Sequence, residues 1–144
     1  KAPSQLATAV TKEPSEEYDA FCDQNKLNAV KRATAKFYVS LAARKVIGVG
    51  PVIRILASIQ NAIQVAGETR DACAVRDELT EVLFHMLVGE DARCLCASKD
   101  WAAVRDNLAG YADRRPAPAE GVSAKSVFRH MDILDGLGRG DGAS

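Results

Sequence analysis

The sequence predicts an all-α fold: an up-down four-helix bundle with an extended N-terminal arm and a short C-terminal helix, stapled by disulfides. Three observations carry this expectation. Apolar residues recur at three- and four-residue steps over most of the chain, and regular alternation is absent. Glycine and proline fall between the periodic stretches, at Gly48-Val49-Gly50-Pro51, Gly67, Gly89 and Pro116-Ala117-Pro118. Four cysteines, Cys22, Cys73, Cys94 and Cys96, are spread across the presumptive helices, an even number without metal-knuckle spacing.

Each element follows from local chemistry. Residues 1–14 form a poor core and read as an extended arm. Ser15 is an N-cap candidate, and Glu16 and Glu17 place negative charge where the helix dipole favours it. A first helix over about 16–45 carries the stripe Tyr18, Cys22, Ala29, Val30, Ala33, Phe37 and Leu41, with Arg44 and Lys45 in its last turn. After Pro51 a second helix carries Val52, Ile55, Leu56, Ile59, Ile63 and Ala66, and Ile53 on its other side hints at wider burial. A third, from about Thr69 to Val88, carries Ala72, Val75, Leu79, Val82, Leu83, Met86 and Leu87. Ser98 opens a fourth with Trp101, Val104, Leu108 and Tyr111, and Ser123 a short fifth with Val127, Phe128, Met131 and Leu134. The glycine-rich stretch from Gly136 onward is expected to be loose. The organisation is then an arm (1–14), a helical bundle (15–115), and a linker, short helix and flexible tail (116–144).

With 144 residues, the length suits one domain with a real core, and a 47% hydrophobic content excludes general disorder. Lys plus Arg equal Asp plus Glu, 19 of each, which argues against nucleic acid as the main partner. The charges are segregated. Residues 21–66 hold seven basic groups and one acidic, whereas residues 67–100 hold four basic and eight acidic. Opposite segments can attract inside the fold, or Lys26, Lys31, Lys36, Arg44, Lys45 and Arg54 can present a docking face to an acidic partner. The most apolar run, Val46–Val65, is too interrupted to span a membrane. A start at Lys1 rather than Met fits a mature chain after removal of a targeting segment.

The cysteines allow three pairings. A Cys94–Cys96 bridge closes a small strained ring and is discounted. In the two that remain, Cys22 takes one member of the Cys-Leu-Cys and Cys73 the other, each bridge worth roughly 3–4 kcal/mol on the chain-entropy model. A metal set of Cys73, Cys94, Cys96 and His85 is weighed and set aside, because Cys-x-Cys is short for structural zinc. His85 and His130 read as surface or boundary residues. No nucleophile, base and orienting group come together, and no catalytic residue, metal or cofactor is expected. Trp101, Val104 and Leu108 are core anchors by spacing.

The run Lys99-Asp100-Trp101-Ala102-Ala103-Val104-Arg105-Asp106-Asn107-Leu108 resembles the helix-opening pattern of PsbQ-type lumenal extrinsic subunits of photosystem II. The resemblance covers ten residues of the chain. It implies a non-enzymatic subunit on the thylakoid lumenal side that shields or stabilises the oxygen-evolving complex. Its partners would be protein subunits of a larger complex, and it would sit peripheral to the membrane. The alternative expectation is a secreted helical effector or a carrier of a small apolar ligand held by the second helix.

Overall fold

The computed structural model describes residues 14–141, except for the side chains of residues 14–18, 21, 22, 24, 25 and 139–141. Six α-helices follow in order: α1 (Pro14–Ala43), α2 (Val49–Gln64), α3 (Ala72–Leu87), the four-residue α4 (Arg93–Cys96), α5 (Trp101–Ala112) and α6 (Ala124–Asp141). Short 3₁₀ turns at Glu90–Ala92 and Pro118–Glu120 lead into α4 and towards α6. Among the described residues no strand forms, and Ala117 and Val122 make a lone antiparallel bridge. The all-α class is as the sequence predicts. The expected arm falls, up to residue 13, outside the described residues.

Contacts divide the chain into two units, residues 1–31 and residues 32–144. In the first, α1 exposes Leu27 and Val30. In the second, four helices touch in a closed ring: α2 on α3, α3 on α6, α6 on α5, and α5 on α2. Its core includes Val52, Leu56, Leu83, Met86, Leu95, Trp101, Val104, Leu108 and Val127.

The ring is not built from the four helices the sequence suggested. The C-terminal helix is 18 residues long rather than short, and its helical course continues through Gly136 and Gly138. The reason is one continuous stripe. Val127, Ile133 and Leu137 are buried at helical spacing, so the apolar contact of Leu137 holds a segment that its glycines alone would leave loose.

In the second unit α1 presents the opposite face from the one expected. Phe37 is 59% exposed, whereas Ala35, Val39 and Ala42 are buried. The polar row that runs beside these small residues explains the choice. Arg32, Lys36, Ser40 and Arg44 recur every four residues, and all four find partners on α3 or on the 3₁₀ turn that follows it. The helix closes with a Schellman arrangement: Lys45 N–H donates to the Ala42 carbonyl and Val46 N–H to the Leu41 carbonyl. Lys45 takes the left-handed conformation this requires, with φ 62°.

Candidate functional site

The disulfide staple takes a correction. Cys73 and Cys94 are free thiols. Both expected pairings needed Cys73 bonded to Cys94 or Cys96, but Cys73 opens α3 whereas Cys94 and Cys96 lie in α4, beyond its far end. Sixteen helical residues, about 1.5 Å of rise each, separate those ends. Cys73 Sγ instead donates to the Pro118 carbonyl at 3.4 Å. Burial, reinforced by the charge of Asp91, raises the Cys94 thiol pKa, which disfavours the thiolate. The side chain of Cys22 lies outside the described residues. No cluster of three or more metal-ligating side chains occurs among the described residues.

The segregated charges meet inside the second unit. Arg32 grips Glu78 through Nε at 3.0 Å and Nη2 at 2.5 Å. Ser40 Oγ and Arg44 Nη1 both donate to Asp91 Oδ2, and these bonds hold the Asp91 carboxyl below its ordinary pKa. Lys36 Nζ reaches the carbonyls of His85 and Val88, where α3 ends. Two of the six docking candidates, Lys36 and Arg44, are thus engaged within the unit. Lys26, Lys31, Lys45 and Arg54 are exposed. Trp101, Val104 and Leu108 are buried in the core.

Two buried polar side chains depart from the sequence reading, which passed over Arg76 and placed His130 at the surface or boundary. The first is Arg76, 2% exposed on α3. Its guanidinium donates to the carbonyls of Ile63 (2.7 Å), Gln64 (3.4 Å), Gly67 (2.5 Å) and Gly121 (3.0 Å). No carboxylate pairs with it among the described residues. The negative end of α2 and the carbonyls beyond it supply the compensating partial charge. Gly121 accommodates it in two ways: its φ is +86°, and a Cβ there would stand 2.6 Å from Arg76 Nη1.

The second is His130, also 2% exposed, on α6. Nδ1 lies 2.8 Å from the Ser126 carbonyl, which can only accept, so Nδ1 carries the hydrogen. The ring stacks on Tyr111 at 4.2 Å, and the Tyr111 hydroxyl is bonded to Ser126 Oγ at 2.8 Å. Burial lowers the His130 pKa, with the Ser126 carbonyl opposing, so the ring is held neutral with its lone pair on Nε2. No described residue bonds that nitrogen.

His130 is one wall of a cleft of about 180 Å³. Gln60, Ile63 and Gln64 line it from α2. Asp106, Asn107, Gly110 and Tyr111 line it from α5, and Arg114 closes one end. The Gln60 amide is fixed: Nε2 donates to the Val104 carbonyl at 3.0 Å, and Oε1 accepts from Asn107 Nδ2 at 3.4 Å. Its lining presents a neutral acceptor, a carboxylate and a guanidinium around a small opening. A sequence signal for His130 existed, because it stands three residues from both Val127 and Ile133 on the buried stripe. The same holds for Arg76, four residues after the buried Ala72 and seven before Leu83.

No family model matches the chain, and neither does any curated protein or solved structure.

Proposed function

We propose that this chain is a non-enzymatic accessory subunit that docks on a partner protein through the outer face of α1. One observation carries the reading. Phe37 and Tyr38 are 59% and 40% exposed on a stretch of helix whose inner face, Ala35, Val39 and Ala42, is already packed. Adjacent exposed aromatics are enriched at interfaces, where they bury large apolar area at low entropic cost. The internal use of Lys36 and Arg44 shifts the docking role from the basic residues towards these two rings.

The resemblance of Lys99–Leu108 to PsbQ-type subunits points to the lumenal side of photosystem II as the assembly. In that setting the chain would shield or stabilise the oxygen-evolving complex. The carrier alternative calls for an enclosed apolar cavity between the second and third helices, whereas two clefts lie between α2 and α5 and are open and partly polar.

Affinity purification from the native source tests it. The wild-type chain is expected to bring down a photosystem II complex. Phe37→Asp is expected to lose that complex while its circular dichroism stays unchanged. Recovery of a different complex would retain the docking role and reject the lumenal assignment. An undiminished yield with Phe37→Asp would reject α1 as the docking face.

A further inference from the structure

We infer that the groove where the turn from α1 to α2 faces Cys94 of α4 binds a medium-chain fatty acid, its carboxylate against Lys45 and its tail along the aliphatic wall. The groove has a volume of about 440 Å³. Ala42, Ala43, Val46, Ile47 and Val49 give it an apolar wall. Lys45 is the one charged residue among the described residues that line it.

The wall and the charge together fix the ligand. Val46 is 66% exposed, so part of the wall stands in water. Covering it with an alkyl chain removes apolar surface from solvent on both sides, which a polar ligand cannot do. A single cation beside that wall asks for a single negative charge. An alkyl carboxylate meets both demands in one molecule. The volume is nearly three times that of a cavity of about 150 Å³ that accepts benzene, which gives room for roughly eight to ten carbons.

The backbone of Lys45 is an independent sign. It takes the left-handed conformation at the close of α1, with φ 62°. Glycine adopts that conformation without steric cost and is the usual residue there. This chain carries a lysine instead, strained at the rim of the groove. Its ammonium makes no ion pair among the described residues, whereas the neighbouring Arg44 is tied to Asp91. Neither Phe37 nor Tyr38 lines the groove, so its occupancy and docking through α1 can be tested separately.

Titration of the full chain with decanoate tests the proposal. Two readouts are followed: amide NMR shifts at residues 45–49, and alkylation of each thiol by iodoacetamide, mapped by peptide mass. Cys94 lines the groove and reports occupancy, whereas Cys73, in the first turn of α3, is the internal reference. Saturable shifts and slower alkylation of Cys94 are expected, with Cys73 unchanged. Octanoate and hexanoate are expected to bind about two- to fourfold more weakly for each methylene removed. Decanol, which has no charge, is expected to bind about two- to fivefold more weakly than decanoate. Lys45→Gly removes the ammonium, relieves the backbone and is expected to bring decanoate down to the affinity of decanol. Val46→Asp is expected to lose decanoate with the circular dichroism retained. The proposal falls if decanoate at about 5 mM moves neither readout. It also falls if Cys73 slows in parallel, if the chain-length series is flat, or if decanol binds the wild type as well as decanoate. Vesicles of phosphatidylglycerol offer acyl chains from another source. Protection of Cys94 by the vesicles and not by decanoate would overturn the proposal in favour of a membrane surface.

Discussion

Two helices of this protein end on a cation borrowed from elsewhere in the chain. The C-terminal end of α2 meets Arg76, buried and bonded to four carbonyls. The C-terminal end of α3 meets Lys36, whose Nζ touches two carbonyls at 3.5 and 3.4 Å in an exposed setting. Both satisfy orphan carbonyls and the negative end of a helix dipole. What differs is the alternative. If Lys36 leaves, water replaces it at once. If Arg76 leaves, carbonyls inside the fold have no partner, and the guanidinium cannot be stranded without heavy cost. Equal chemistry therefore gives unequal leverage, and burial sets the difference.

The largest effect expected from breaking this contrast is at the buried end. Arg76→Met keeps the volume and removes the donors, so chemical denaturation should show a loss of about 3–5 kcal/mol. Gly121→Ala attacks the same end from the other side. It adds a Cβ within 2.6 Å of Arg76 Nη1 at a φ of +86°, and should cost about 2–4 kcal/mol on the same assay.

Protonation sharpens the comparison at another buried group. Burial keeps the pKa of His130 in the folded chain below its ordinary value near 6.5. The unfolded chain takes up that proton first as pH falls, so stability should decline below about pH 6.5 and level off beneath the folded-state pKa. In a pH series of urea unfolding, His130→Gln should lack this decline whatever its absolute stability. Arg76→Met leaves His130 in place and should keep the wild-type slope.

Thr80 is the opposite case of a buried polar group. Its hydroxyl is enclosed on α3 with no hydrogen-bond partner. Thr80→Val should stabilise the protein by about 1 kcal/mol, seen as a higher urea midpoint. The smallest effect belongs to the exposed helix end: Lys36→Met should cost about 0.3–1 kcal/mol. That loss should shrink in high salt, where screening has already weakened the contact.

The pattern of what the sequence revealed follows the same line. Helix positions were legible because periodicity and breakers are local: Gly48, Gly67, Gly89 and Pro116 all fall between helices. The buried face of α1 was not. Phe37 has more apolar surface to bury than Val39, yet Val39 is inside, because the partners of Arg32, Lys36 and Ser40 lie 46 to 52 residues further along the chain. The cleft was half visible. Ile63 and Tyr111 stood on recognised stripes, whereas His130 reads by type as a surface residue and is buried only because α6 closes the ring.

By itself the sequence determined that this chain is helical and where the three long helices between Val49 and Ala112 begin and end to within a few residues. The tertiary structure alone decided which helices form the ring, that Cys73 is kept away from Cys94 and Cys96, and that an arginine and a histidine belong inside. The physical reason is range. Helix hydrogen bonds close within four residues, whereas the burial of a charge or an imidazole depends on carbonyls and rings supplied from distant parts of the chain.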